Sequence, residues 1–511
     1  MLALGFSAAM HGIDGYVVRV EADASPGTPS FVLVGLPDRS LGEARERVRA
    51  AITNSGFRYP AGRLIVNLAP ADIRKEGPGF DLALACALLA IDEQIERTLL
   101  QEFVVLGELA LDGAAQAVTG VLPMVLGAKA CGFTKIVLPE RNFEEAALVE
   151  GIELYPVRTL SDAVAVFCGH GAKYRRTIEA RPVGEAASFV HDFADVRGQE
   201  GAKRALEIAA AGGHNVLLVG PPGCGKTMLS RCLPSILPSM TGEEALKVTK
   251  LYSVTGLLSA GSGLVRARPF RMPHHTITQI ALVGGGSPPK PGEISLAHHG
   301  VLMLDELLEF GRATIEVLRQ PLEEGAVTVA RASGTFTFPA RFMLVCSANP
   351  CPCGYRGDPL RECRCDGATV ARYAAKLSGP LLDRLDLQID VPRVPLDDLM
   401  RRTPAEPSSA VRARVEAARA RQQARYAGSG IFANGQIPSA LAAQHCRLDA
   451  EGAALLRAAT TAKRLSARGY DRILRVARTI ADLAGTETID AGHVGEAIQY
   501  RSLERLSAKA A

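Results

Sequence analysis

The chain has 511 residues, length for about three domains at roughly 150 residues each. Hydrophobic residues make up 47% and charged residues 22%, an ordinary globular balance that excludes a disordered or low-complexity chain. The net charge is only +4, so bulk electrostatics do not require a nucleic-acid partner and leave a local basic surface open.

The first residues carry no basic n-region and break at Gly5 and Gly12, and no apolar run is long enough to span a bilayer. The 11 cysteines are an odd number, which points to reduced thiols or metal ligands rather than a disulfide framework. A cytoplasmic protein without a membrane partner is the expectation.

Residues 1–170 alternate strand-like and helical patterns. Strand composition falls at 16–20, 31–34, 63–67, 103–106 and 136–138. Residues 40–55 read as an amphipathic helix with Ala44, Val48, Ala51 and Ile52 on its apolar side. On that helix Arg45, Arg47 and Arg49 read as a solvated face. A second, apolar helix is expected over 81–91. The segment is α/β or α+β. It resembles the proteolytic domain of Lon-type proteases, a ribosomal S5 domain 2-like α+β fold, through residues 75–78 (KEGP), Gly107 with Glu108, 111–113 (LDG) and 128–140 (AKACGFTKIVLPE). The resemblance implies a nucleophilic serine after the Gly-Pro and an activating lysine further on. Gly79 and Leu122 stand at or near those positions. Without a nucleophile there is no acyl-enzyme chemistry, so protease activity is not expected, and a scaffolding or nucleic-acid-binding role remains. Residues 171–192 lack periodicity and read as a linker with a basic start at Lys173, Arg175 and Arg176.

Residues 193–392 carry nucleotide chemistry. Val196, Gly198 and Gln199 precede a helix expected over 200–211. Residues 216–219 (VLLV) read as a buried strand, followed by Gly220, Pro221, Pro222, Gly223, Cys224, Gly225, Lys226 and Thr227. That is G-x-x-x-x-G-K-[ST]: glycines let backbone amides wrap a phosphate chain, lysine reaches the β/γ-phosphates and the hydroxyl holds Mg²⁺. The positive end of the next helix points at the same anion. Cys224, inside this loop, is a candidate for oxidation sensitivity. A second apolar strand, 301–304 (VLML), ends in Asp305 and Glu306. Asp305 is placed to hold Mg²⁺ and Glu306 to activate water as general base. A third, 342–348, ends at Asn349, placed to orient the attacking water.

The motor resembles the magnesium-chelatase-like branch of AAA+ ATPases, with a P-loop α/β core. The whole chain resembles the ComM/YifB family through 271–276 (RMPHHT), 284–286 (GGG), 291–298 (PGEISLAH), 304–307 (LDEL) with Glu309 and Phe310, 318–323 (LRQPLE), 349–354 (NPCPCG) and 468–470 (RGY). The resemblance implies a homo-hexameric, ATP-dependent DNA helicase that promotes branch migration during natural transformation, acting on single-stranded or branched DNA alongside recombination proteins. Arg384 would reach the neighbouring subunit's nucleotide as an arginine finger; read alone, it is a surface ion pair worth little. Residues 252–290 form an insert with Arg266, Arg268, Arg271 and Lys290, and 327–338 read as a hairpin with Arg331. In related helicases such elements line the pore and grip DNA. Lys290 and Arg331 are the candidates, with solvated loop charges the equal alternative. The pairs His274–His275 and His298–His299 read as structural or nucleotide-sensing rather than metal ligands.

Cys351, Cys353, Cys363 and Cys365 form C-x-C-x₉-C-x-C, suited to a tetrahedral structural Zn²⁺ within an insertion over 351–365; an iron–sulfur cluster is the poorer alternative. The loop also carries Arg356, Arg361 and Arg364, and a DNA-touching role at the ring surface is the expectation. Residues 393–430 read as a Pro-rich connector and a basic helix over 411–426 (Arg412, Arg414, Arg419, Arg421, Arg425). Residues 431–511 form an all-helical lid, resembling the magnesium chelatase C-terminal region, with helices at 438–445, 449–465, 470–484 and 490–506. Arg468, or else Arg475, is placed to sense the γ-phosphate. The competing functional readings are a chelatase-like remodelling ATPase acting on a protein or metal-insertion partner, an ATP-dependent protease, which Gly79 and Leu122 oppose, and a non-catalytic recombination scaffold.

Overall fold

The computed structural model describes residues 2–36, 43–75, 77, 79–176, 189–258, 263–287, 289–331, 334–400 (backbone only at 397 and 399), 405–462 and 465–501. Parts of several sequence readings therefore lie outside the described residues: 40–42, Glu76 and Pro78, most of the 171–192 linker, the hairpin tip at 332–333, and 502–506 of the last helix.

The N-terminal region is one seven-stranded mixed sheet. Its strands are β1 (Leu2–His11), β2 (Asp14–Ser25), β3 (Ser30–Val34), β4 (Arg63–Ala69), β5 (Phe103–Val105), β8 (Lys135–Pro139) and β9 (Glu153–Val157), in the order β3-β4-β2-β1-β5-β8-β9. A short hairpin, β6 (Glu108–Leu109) and β7 (Ala115–Gln116), lies between β5 and β8. Period-two alternation sends Val105, Val137 and Tyr155 to one face and Val104, Ile136 and Leu154 to the other. Helix Asp81–Ile91, buried all round, covers the first face. Helix Val121–Ala130 covers the second. It lies so close to β2 that a Cβ on Gly15 would sit 2.0 Å from the Pro123 carbonyl oxygen. Only glycine fits there.

The helix over 40–55 is described as Ala44–Asn54, with the predicted apolar side buried. Its solvated-face reading needs correction at Arg47. The guanidinium grips the fully buried Asp81 carboxylate with Nε–Oδ2 2.8 Å and Nη2–Oδ1 3.1 Å. Burial still holds the Asp81 carboxyl above its ordinary range, with Arg47 acting against it.

The central region is a five-stranded parallel sheet in the order β11-β14-β17-β10-β18, comprising Phe270–Arg271, Val301–Leu304, Met343–Ala348, Val216–Val219 and Leu387–Asp390. The strands β10, β14 and β17 are buried on both faces, which is why they read as unbroken apolar runs. Two hairpins project from the central region: β12–β13 (Gly284–Gly285, Lys290–Pro291) and β15–β16 (Ala326–Arg331, Gly334–Pro339). The C-terminal region is helical, with Ser408–Arg425, Ser439–His445, Ala450–Ala462, Ala467–Ala484 and Ala491–Gln499. Its apolar residues Val411, Val415, Val476 and Ile480 share one core with Ala205, Leu206, Val216 and Leu218 of the central region.

The basic helix turns its charges inward. Arg419 donates to the carbonyls of Ala210 and Phe432, Arg425 pairs with buried Asp482, and Arg414 pairs with Glu207 and Glu406. Likewise Arg175 and Arg176, read as the start of a linker, pair with Glu153 and Glu140 of the N-terminal region. The two regions touch through Lys250–Asp14, Ser253–Glu145 and the His11 and Phe336 rings, whose centroids are 4.7 Å apart.

Candidate nucleotide site

The phosphate loop leaves the C-terminal end of β10 and enters helix Lys226–Ile236. Gly223 and Gly225 have φ of 76° and 97°, the left-handed region where glycine carries no steric cost. A Cβ on Gly220 would sit 2.2 Å from the Val391 carbonyl oxygen, so the first glycine is set by the close approach of β18. The Lys226 ammonium is buried. It donates to the carbonyl oxygens of Gly220 (2.7 Å) and Pro221 (2.9 Å) and to Asn349 Oδ1 (3.3 Å). Cys224 is buried, and burial pushes its thiol up. This argues against the oxidation-sensitive reading, since the thiolate is the reactive form.

The acidic pair stands at the end of the next strand but one. Thr227 Oγ1 donates to Asp305 Oδ2 at 2.8 Å. The Ser347 hydroxyl donates to the other Asp305 oxygen and accepts from the Glu306 amide at 3.0 Å. Glu306 has φ of 53° and an exposed side chain. Hydroxyl and carboxylate side by side at a helix N-terminus are the hard oxygen donors that suit Mg²⁺. Sequence reasoning missed Ser347. The signal was present, as one polar residue within an otherwise apolar central strand. Gln199, with φ of 60°, donates to the carbonyls of Pro392 (2.6 Å) and Cys224 (3.2 Å). It lines a cavity of about 640 Å³ with Arg197, Ala202, Asp390 and Arg393 beside the phosphate loop.

The arginines lie elsewhere. The Asn215 amide donates to Asp386 Oδ2 (2.9 Å) and its side chain to the Arg384 carbonyl (3.0 Å), so both residues stand at the N-terminal end of β10. Four strand residues at about 3.3 Å each separate that end from the phosphate loop by roughly 13 Å. Arg384 is 7% exposed and paired with Glu323, whose Oε1 is also 3.7 Å from Arg468. Arg472 pairs with Asp386. Arg341, Arg384, Arg468, Arg472 and Arg475 line one cavity of about 580 Å³. The Nε atoms of Arg384 and Arg475 are buried without a hydrogen-bond partner among the described residues. Burial lowers the pKa of both guanidinium groups from its usual value. Arg468 and Arg475 thus sit with Arg384 and away from their own chain's phosphate loop. Helix Ala467–Ala484 docks on the N-terminal end of the sheet through Arg472, and its first turns go with it.

The four sulfurs of Cys351, Cys353, Cys363 and Cys365 lie within 4.8 Å of one another, with distances of 3.4 to 3.6 Å among the first three. Tetrahedral Zn²⁺ with Zn–S of about 2.3 Å sets sulfur–sulfur edges near 3.8 Å, so the donor set fits that ion. Backbone amides, that of Tyr355 foremost, pull the Cys353 thiol down to about 6, while burial pushes Cys351 up to about 12.

Of the four insert cations, Arg268 is bound to Glu244 and three carbonyls, and Arg271 grips Glu293 with two hydrogen bonds. Both are internal struts. Lys290 and Arg331 are exposed on adjacent hairpins: a Cβ on Gly285, the partner of Lys290, would lie 3.0 Å from the Arg331 guanidinium. His298 and His299 are buried. The His298 Nδ1 accepts from the Arg341 amide, and His299 lies 3.4 Å from Glu244, a structural arrangement. In the N-terminal region, Leu122 is fully buried and Gly79 packs on Val118.

Residues 192–399 match the family described as magnesium chelatase, subunit ChlI; residues 20–142 match subunit ChlI of Mg-chelatase; residues 405–501 match the ChlI C-terminal family. The chain is 43% identical over 514 residues to the competence protein ComM of Haemophilus influenzae, covering 99% of each chain. It is 42% identical over 507 residues to the YifB protein of Escherichia coli, covering 99% of this chain and 98% of that one. A shorter match, 31% over 145 residues, joins 27% of this chain to 18% of Lon protease homolog 2 of Caenorhabditis elegans. The chain belongs to the ComM/YifB family of magnesium-chelatase-like proteins.

Proposed function

We propose that the chain is an ATP-driven motor that works as a ring, a homo-hexamer by resemblance, and moves DNA branches during recombination of incoming DNA. The observation that carries this reading is the division of the hydrolytic groups between the two ends of one sheet. Lys226, Thr227, Asp305, Glu306 and Asn349 converge at one end, and Arg384, Arg468 and Arg475 at the other. One chain therefore offers two half-sites, and a ring joins each to its complement.

In this reading the loop amides and Lys226 hold the phosphates of ATP. Thr227 and Asp305 would hold Mg²⁺, which supplies neutralising charge when bound. Ser347 fixes the Asp305 carboxylate. Glu306 takes the proton of the attacking water, and Asn349 orients it. Arg384 of the adjacent subunit offsets charge that develops on the transferred phosphoryl group, with Arg468 or Arg475 beside it. Lys290 and Arg331 contact the DNA backbone. The competence name of the Haemophilus relative supports a role in taking up DNA by recombination.

The test is ATP-dependent branch movement on a four-way junction. The account expects movement with ATP and none for Lys226→Ala. Wild type and Lys226→Ala behaving alike contradicts it. The family match to magnesium chelatase supports one competing reading, a remodelling ATPase acting on a protein or metal-insertion partner. That reading expects ATP hydrolysis with no stimulation by DNA and no branch movement.

A further inference from the structure

The cysteine loop begins two residues after Asn349 and runs through turns and bends, without helix or strand, to helix Gly367–Ala374. Loops of this length inside a compact domain are uncommon without a specific role or a staple. Its contacts all point one way. Cys351 is fully buried at the end of β17. Gly354 has φ of 84°, and a Cβ there would sit 2.6 Å from both Cγ and Cδ of Pro222. The turn between Cys353 and Cys363 therefore rests on the phosphate loop. Asp358, its side chain fully buried, accepts from Arg393 Nε at 2.6 Å, and Arg393 forms part of the wall of the cavity that Gln199 lines. Past Cys365, the Tyr373 hydroxyl donates to Glu309 at 3.4 Å and Lys376 donates to the Leu308 carbonyl at 2.7 Å. Leu308 and Glu309 belong to the turn that follows Glu306.

The loop thus touches Pro222 of the phosphate loop, continues from the water-orienting Asn349 and braces Arg393, and it leads into the helix whose Tyr373, with Lys376 just beyond, holds the segment after Glu306. We propose that Cys351, Cys353, Cys363 and Cys365 bind one Zn²⁺ and that this metal positions the nucleotide site, so that metal occupancy sets ATP affinity. This rests on the nucleotide reading above and replaces the expectation of a DNA-touching knuckle. Cross-linking the loop at four points removes the freedom of the segments that carry Asn349 and press on Pro222, and pre-organised segments bind ligand without losing that freedom again.

The experiment uses the full-length chain and three readouts: zinc per chain by elemental analysis, affinity for a fluorescent ATP analogue, and thermal unfolding. Wild type is expected to carry one zinc per chain. Cys363→Ser with Cys365→Ser is expected to lose the zinc and to weaken analogue binding at least tenfold. Stripping zinc from wild type with a metal chelator, then adding zinc back, is expected to weaken and recover binding by the same factor, which separates positioning from misfolding. Gly354→Val keeps all four thiols. It is expected to retain zinc and still lose affinity through the clash with Pro222. Lys226→Ala is expected to keep zinc and lose analogue binding. Unchanged affinity in zinc-free, folded protein overturns the proposal, as does wild type without zinc. A wild-type chain that carries zinc but binds no analogue overturns the nucleotide reading instead.

Discussion

The two ends of the parallel sheet are built in different ways. At the C-terminal end of β10 the groups come from the loop, the first turn of the helix and the ends of β14 and β17, held in two adjacent sets: Lys226 with Asn349, and Thr227 with Asp305 and Ser347. At the N-terminal end long guanidinium groups from three separate segments line a cavity of about 580 Å³, with Glu323 holding Arg384 and Asp386 holding Arg472, and with the Nε atoms of Arg384 and Arg475 buried without a partner among the described residues. The first end has the backbone and hydroxyl groups suited to a phosphate chain. The second mixes five arginines with Glu323, Glu324, Asp386 and Asp471 around an open cavity. The two ends thus carry different groups, which the proposed ring would bring together from adjacent copies of the chain.

The comparison breaks most sharply at its strongest points. Lys226→Ala and Glu306→Gln are each expected to lower ATP turnover by about a thousandfold or more, with Glu306→Gln retaining nucleotide affinity in equilibrium binding. Arg384→Ala is expected to cost about a thousandfold in turnover, the scale of an arginine finger, while nucleotide binding to the isolated chain stays intact. An Arg384→Ala chain that keeps wild-type turnover breaks the account of the second end.

Arg468→Ala and Arg475→Ala sharpen the account further, with an expected loss of about tenfold for the residue that faces the phosphate and little for the other. Lys290→Ala and Arg331→Ala are expected to weaken DNA binding and to lower the slope of log affinity against log salt by about one each, with basal ATP turnover unchanged.

The smallest effect concerns pH. Behind Arg341, burial pushes His298 down to about 2 and His299 down to about 3. Below the ordinary value of about 6.5 the unfolded chain takes up protons that the folded chain refuses. Stability present at pH 7 is therefore lost as pH falls through the window from about 6.5 toward 3, by up to about 1.4 kcal/mol per pH unit for each histidine. Melting temperature measured between pH 7 and 5 should fall, and His298→Asn, which keeps an acceptor for the Arg341 amide, should flatten the slope.

Much of the geometry around the glycine loop was legible in the sequence because it is local. A strand, a glycine loop and a helix follow one another within residues 216–236, and β14 and β17 are each followed directly by the polar residues the sequence pointed to, Asp305 with Glu306 and Asn349. The arginine end was harder to read. Arg384 and Arg468 meet only because helix Ala467–Ala484 docks beside Asp386, a tertiary contact with no periodic signature. Charge on a helix misled in the same way. Arg47, read as part of a solvated face, grips buried Asp81, and Arg419 and Arg425 of the basic helix Ser408–Arg425 likewise bond buried groups far along the chain. Strand β1 was overlooked because Gly5, Ala8 and Ala9 give it weak strand propensity, yet it lies at the centre of the sheet, paired with both β2 and β5. Strand β9 was missed at the sheet's edge, where Pro156 interrupts a short run.

The most direct test of the divided site mixes two inactive chains. Lys226→Ala spoils the cradle and leaves Arg384 sound, whereas Arg384→Ala does the reverse. Combined in equal amounts, they form interfaces of which roughly a quarter join a sound cradle to a sound arginine, if subunits assort at random in a ring. The account predicts that ATP turnover of the mixture rises well above that of either variant alone. Turnover that stays at the level of the two inactive chains, in rings shown to contain both, would contradict it.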